Sequence, residues 1–189
     1  VIGPLVIAGV MLEESKVESV LKDAKDSKLV PQKKREELYK KFIKAVEYKI
    51  IIVEPSEIDA ALMSDSLNLN WLEAHKTAEI INELNPDEAY IDSPSPNASR
   101  YKDYVRNLLK NKDVKLHVGH KMESVHKTVA AASILAKTIR EKEMDQIKKK
   151  YGNTGPGYMS NVITQKFLKE NWEKHPEIFR KTWVSWKNH

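Results

Sequence analysis

The sequence predicts one α/β domain, on three observations. Short apolar runs rich in β-branched residues alternate with longer amphipathic stretches. Pro, Gly or Asp ends each short run. The chain has 189 residues, which suits a single core, since length over about 150 is the usual guide to domain number.

Taken in order, "GPLVIAGVML" (3–12) reads as a strand and "YKIIIVEP" (48–55) as a second strand closed by Pro55. Between them "PQKKREELYKKFIKAV" (31–46) has helical spacing, with Pro31 at the first helical position, where a missing N–H is harmless. The stretch "LNLNWLEAHKTAEIINEL" (67–84) is the next helix. Then "EAYID" (88–92), "NASRYKDYVRNLLKN" (97–111) and "VKLHVGH" (114–120) follow as strand, helix and strand. That βαβ rhythm predicts parallel pairing of 88–92 with 114–118. After residue 126 the chain reads as helical and basic, broken by the loop "YGNTGPGYMSN" (151–161), and is expected to pack over an edge or face of the sheet. The expected division is a core over 1–150 and a C-terminal loop and helical segment over 151–189. Neither repeats nor low-complexity linkers interrupt it.

Composition narrows the function. Without cysteine there are no disulfides, thiolate metal sites or cysteine nucleophiles, which fits a reducing compartment. No apolar run approaches the roughly 20 residues a membrane span needs, and "VIGPLVIAGVML" is short and interrupted by Gly3 and Pro4. A soluble, cytoplasmic protein with no membrane contact is expected. The net charge of +5, from 32 Lys and Arg against 27 Asp and Glu, permits a polyanionic partner.

Two carboxylates stand out. Asp92 ends a strand, and ligands of open α/β sheets gather outside the carboxyl ends of strands. The "SPSPN" that follows holds it at an edge, where a turn aspartate or helix cap is the alternative. Glu123 likewise follows a strand and precedes a helix, where a carboxylate also offsets the positive end of the helix dipole. If the two strands are neighbours, both acids project from one end of the sheet. Oxygen-only ligands suit Mg²⁺ or Mn²⁺, and two such ions can activate a water and stabilise the leaving oxygen in phosphodiester cleavage. His117, His120 and His126 have no compact zinc spacing and no cysteine to complete a set.

The run "HKMESVHKTVAAASILAKTIRE" (120–141) resembles the segment of type 2 ribonucleases H (ribonuclease HII) in which a basic residue, a metal-binding carboxylate and an "AASI-AK" helix follow one another. "AYIDS" is similar to that family's strand ending in a catalytic aspartate, and "KDSKLVPQKKREEL" to its lysine-bearing loop and helix. "YGNTGPGYMSN" resembles its glycine-rich loop with a substrate-reading tyrosine, and "FRKTWVSWK" its closing Arg-x-x-Trp segment. The motifs cover nearly the whole chain and match the archaeal form.

The resemblance implies a ribonuclease H-like mixed sheet flanked by helices, with a helical C-terminal part contacting substrate. It implies two-metal-ion phosphodiester hydrolysis, with Mg²⁺ or Mn²⁺, of the RNA strand of RNA/DNA hybrids and at ribonucleotides embedded in DNA. Asp92 and Glu123 are then the catalytic metal ligands. Tyr158 is the tyrosine stacking at the sugar after the ribonucleotide, and Gly157 allows close backbone approach. Lys28 contacts a phosphate, Ser93 hydrogen-bonds the backbone phosphate, and Lys137 and Arg140 face the duplex or complete a solvated helix side. A monomer is expected, and protein partners are left open.

Two departures matter. Glu123 stands where the family usually has aspartate, one methylene shorter, so Glu123→Asp is expected to keep activity with an altered ion preference. The family's "Asp-Glu-Ala-Gly-Arg-Gly" stretch, which supplies two of four acids and a ribose clamp, precedes the segment matching "VIGPLVIAG", so residues upstream of Val1 are expected in the working protein. The alternatives are a noncatalytic nucleic-acid-binding module and a DNA nuclease or resolvase of the ribonuclease H-like group.

Overall fold

The computed structural model describes residues 1–25, 27–64 and 66–187. Asp26 of the "KDSK" stretch and the last two positions lie outside them. The elements are β1 (Leu5–Met11), α1 (Glu14–Val20), α2 (Gln32–Phe42), β2 (Glu47–Val53), α3 (Pro55–Met63), α4 (Leu69–Leu84), β3 (Glu88–Asp92), α5 (Ala98–Leu108), β4 (Lys115–Gly119), α6 (Lys127–Tyr151), α7 (Val162–Asn171) and α8 (Val184–Lys187).

Helices α1 and α3 have no counterpart in the sequence reading. The seven residues of α1 bury no side chain, so no apolar stripe marks them. Helix α3 starts on Pro55, the residue read as a strand terminator; proline serves equally well in the first turn of a helix. Pro31 caps α2 from one place further out than expected.

The chain divides into two compact units, one of Val1–Val6, Ile52–Leu69 and Ile139–His189, the other of Ile7–Ile51 and Asn70–Thr138. Among the described residues the strands form two two-stranded sheets, β1 with β2 and β3 with β4. Strands β3 and β4 are parallel, from Glu88 opposite Lys115 to Asp92 opposite Gly119. Helix α5 is the crossover between them, and the Asn97 side chain caps it by accepting from the Arg100 N–H at 2.9 Å.

Alternation along β3 sorts its side chains. Ala89 and Ile91 face a core of Ala74, Ala78 and Ile81 from α4 and Tyr101, Val105 and Leu109 at helical spacing after Asn97. Glu88, Tyr90 and Asp92 therefore occupy the opposite face. A second core in the same unit packs Ala130, Ala131, Ile134 and Leu135 of α6 against Leu38 and Phe42 of α2. Gly9 of β1 allows α4 to come close, since a Cβ there would lie 2.4 Å from Ile80 Cγ2.

The other unit has its own core of Ile2, Met144, Phe167, Leu168, Ile178 and Phe179, with an antiparallel bridge between Ile2 and Phe179. Buried Arg180 donates to the carbonyls of Gly3 at 3.1 Å and Pro4 at 2.8 Å and lies over the Trp183 ring at 4.8 Å. Those contacts give the Arg-x-x-Trp segment a structural purpose. Asp59 of α3 accepts from the Lys181 and Thr182 N–H groups, both at 2.9 Å. Among the described residues no helix is long and apolar enough to cross a membrane.

Candidate active site

The parallel register brings the two acids to one end of the β3–β4 pair. Asp92 closes β3 opposite Gly119, the last residue of β4. The chain then turns through Lys121 in the left-handed region, at φ 58, into a single 3-10 turn, Met122–Ser124, that carries Glu123. Two bonds tie the ends together: the Met122 N–H donates to Asp92 Oδ1 at 3.3 Å, and the Ser93 N–H to the Gly119 carbonyl at 2.7 Å. Lys28, Asp92, Ser93, His120, Lys121, Glu123 and Ser124 line one cleft of about 520 Å³.

The acids differ in their surroundings. Asp92 is exposed, whereas Glu123 is 7% exposed. Glu123 Oε2 accepts from Ser27 Oγ at 2.9 Å and from Ser133 Oγ at 2.8 Å, and Lys28 Nζ lies 3.0 Å from Oε1. A hydroxyl has one proton, and a carboxylate is the stronger acceptor, so both serine protons point at Glu123. The 2.8 Å approach of the two Oγ atoms follows from sharing that acceptor. Behind them Lys137 Nζ donates to Ser27 Oγ. Burial alone would push the Glu123 carboxyl up. The hydrogen bonds from Ser133, Lys28 and Ser27 and the charge of Lys137 outweigh it and hold the carboxyl down at about 2.

Asp92 and Glu123 thus share one sheet end, as the sequence suggested, and Lys28 and Ser93 lie in the same cleft. The Lys28 side chain is 74% exposed yet delivers its ammonium to Glu123. The Ser93 hydroxyl donates to the Ser95 carbonyl at 3.0 Å. Lys137 belongs to the Glu123 network rather than to a purely solvated helix side. His117 stacks on the Tyr90 ring with centroids 4.6 Å apart and His126 lies tilted against it at 4.3 Å, while His120 lines the cleft. Among the described residues no group of three or more His, Cys, Asp or Glu side chains is placed to hold a metal ion. Sequence reasoning missed Ser27 and Ser133. The available signal was a lone hydroxyl in the otherwise apolar "AAASILA".

Tyr158 and Gly157 lie in the other unit, on the loop before α7. Tyr158 is 52% exposed, and the Arg140 guanidinium lies 4.4 Å from its ring centroid. Arg140 also donates to the carbonyls of Pro156 at 3.3 Å and Ile2 at 3.4 Å, so it organises the loop. Gly157 sits at φ 82, and a Cβ there would lie 2.8 Å from the Ile2 carbonyl oxygen. Its N–H donates to Thr164 Oγ1 at 3.1 Å, which in turn donates to the Thr154 carbonyl at 2.9 Å. The loop is therefore built around a glycine that no other residue replaces without strain.

Comparison with known proteins places this arrangement. The crystal structure of ribonuclease H2 from Pyrococcus horikoshii matches with a TM-score of 0.89 at 34% identity, over 100% of this chain and 90% of that one. Ribonuclease HII of Archaeoglobus fulgidus, solved in complex with PCNA, matches with a TM-score of 0.85 at 34% identity, over 100% and 88%. Ribonuclease HII of Thermococcus sibiricus is 41% identical over 99% of this chain and 84% of its own length. These likenesses define the class, a nuclease of the ribonuclease H type. The family model for ribonuclease HII matches residues 1–188, and the chain belongs to that family. It is a type 2 ribonuclease H, an endonuclease that hydrolyses the RNA strand of RNA/DNA hybrids.

Proposed function

We propose that Asp92 and Glu123 hold a divalent ion, Mg²⁺ or Mn²⁺, at which this chain cleaves RNA in hybrids and at ribonucleotides embedded in DNA. The observation that carries the reading is their placement: two acids at the same end of a parallel strand pair, lining one cleft. The donor set fits such an ion. Both donors are carboxylate oxygens, one is kept anionic, and its Oε1 already faces a cation, the Lys28 ammonium. Mg²⁺ commonly binds through one or two carboxylates and fills its shell with water and substrate phosphate oxygens, so these two acids can hold one ion of such a site. The bound ion supplies Lewis-acid activation of water and stabilisation of the leaving oxygen.

The chain's own groups do the rest. Lys28 holds Glu123 in place and contacts a phosphate of the cleaved strand. Ser93 hydrogen-bonds the backbone phosphate beside Asp92. Tyr158 stacks on the sugar after the ribonucleotide, with Gly157 allowing close backbone approach, and the segment 151–189 contacts substrate. The 2′-hydroxyl, both donor and acceptor, is what distinguishes RNA from DNA at the cut. The enzyme acts as a monomer in the cytoplasm.

The test uses the full-length protein and three duplexes: all-DNA, RNA paired to DNA, and DNA carrying one ribonucleotide. Metal-dependent cleavage of the last two alone is expected; cutting of all-DNA would support the resolvase reading, and salt-sensitive binding without cleavage the noncatalytic one. In the same assay Tyr158→Ala removes a stacking surface worth roughly 1–3 kcal/mol, about 5-fold to 150-fold in rate. Cleavage at the single ribonucleotide should fall more than cleavage of the long RNA strand, because only the former depends on one junction. Equal losses on both substrates would refute the junction role.

A further inference from the structure

We infer that Ser133 and Ser27 are positioning residues for Glu123: their hydroxyls fix Oε2 and leave Oε1 as the oxygen offered to a cation. The inference rests on the reading that Glu123 is a metal ligand.

Glutamate has one more rotatable bond than aspartate, so a glutamate ligand samples more positions unless something holds it. Here the holding is complete on one oxygen. Ser27 Oγ at 2.9 Å and Ser133 Oγ at 2.8 Å converge on Oε2, and the carboxylate is 7% exposed. Lys28 lies on Oε1 at 3.0 Å, on the cleft side, where its side chain reaches in from solvent. Lys137 donates to the Ser27 oxygen, which turns the Ser27 proton away from Lys137 and toward Glu123. Ser133 is held by α6, whose neighbouring Ala130, Ala131, Ile134 and Leu135 are packed in the core, so its hydroxyl is presented from a rigid element.

In this chain the two hydroxyl contacts depend on the length of the side chain. A methylene spans roughly 1.5 Å, so an aspartate on the same backbone withdraws its carboxylate by about that much. Bonds of 2.8 and 2.9 Å would stretch past the hydrogen-bond limit. The sequence alone expects Glu123→Asp to be tolerated; the hydroxyl pair predicts that it is not, because Ser27 and Ser133 would face an acceptor that has moved away.

The experiment measures Mn²⁺ binding by isothermal titration calorimetry on the full-length protein without nucleic acid, alongside kcat/KM on an RNA/DNA hybrid. Ser133→Ala should weaken Mn²⁺ binding about 10- to 100-fold, the usual effect of removing a partner that orients a metal ligand. Ser133→Thr keeps the hydroxyl and should restore binding. Ser133→Cys keeps the volume but offers only a weak donor, so it should behave like alanine even if alanine destabilises the helix packing. Glu123→Asp should weaken binding, and adding Ser133→Ala to it should cost nothing more. Wild-type Mn²⁺ affinity in Ser133→Ala or Ser133→Cys, or independent effects of the two changes, would overturn the inference. Asp92→Asn and Glu123→Gln separate the two levels: if neither changes Mn²⁺ affinity, the metal reading itself fails, whereas loss in both with no effect of Ser133 defeats only the positioning role.

Discussion

Asp92→Asn is expected to abolish metal-dependent cleavage of an RNA/DNA hybrid while leaving hybrid binding near wild type. Asparagine has the size of aspartate, and its Oδ1 can still accept the Met122 N–H that aspartate accepts at 3.3 Å, so the turn between β4 and Glu123 keeps its tie to β3. Asp92 is exposed, and replacing it leaves no buried group unsatisfied. What disappears is the charge. If a metal ion contributes several kcal/mol to the transition state, its loss costs a thousandfold or so in rate. Binding persists because phosphate contacts from Lys and Arg carry most nucleic-acid affinity, and removing an acid does not weaken them. Single-turnover cleavage with metal in excess, paired with fluorescence anisotropy at fixed salt, reads both quantities. Wild-type cleavage in this variant would reduce Asp92 to a turn residue.

Much of this site was legible because its logic is local. A strand, a helix and a second strand in short order imply a parallel pair, and the register from Glu88–Lys115 to Asp92–Gly119 follows that rule. Once the strands are parallel, an acid at the end of one and an acid just past the end of the other must share an edge. The closing Arg-x-x-Trp segment was readable as a motif, though its buried bonds to the Gly3 and Pro4 carbonyls were not.

The parts that escaped are long-range or unpatterned. Ser27 and Ser133 stand 106 positions apart, and nothing in either neighbourhood says that both meet one carboxylate. Lys28 was readable as a basic residue near a phosphate, but its approach to Glu123 Oε1 required the folded chain. Arg140 lies on a helix whose phase leaves two readings, duplex or solvent, and the structure supplies a third: its guanidinium covers the Tyr158 ring. Helices α1 and α3 went unread for a different reason, since one lacks a buried stripe and the other begins at a proline that ends a strand equally well.

Glu123→Gln should change how stability depends on pH. The folded protein holds this carboxyl at about 2, against an ordinary value of 4.5. Burial opposes that depression, and the donors from Ser133, Lys28 and Ser27, with the charge of Lys137, overcome it. Because the folded value lies below the unfolded one, the unfolded chain binds the proton first as pH falls. The stabilisation is therefore fully present above pH 4.5 and is lost as pH falls from there through 2. The gap corresponds to on the order of 3 kcal/mol, a large share of the roughly 5–15 kcal/mol that holds a typical domain together. The glutamine carbonyl oxygen can still accept from the serines but carries no charge for Lys28 and Lys137, so the variant should lack this pH dependence. Urea unfolding of both proteins, with a chelator present to exclude metal effects, gives the midpoint at each pH. The two curves should lie apart near neutrality and converge toward pH 2. Parallel curves across that window would show that the serine and lysine contacts do not stabilise the charged form of Glu123 in solution.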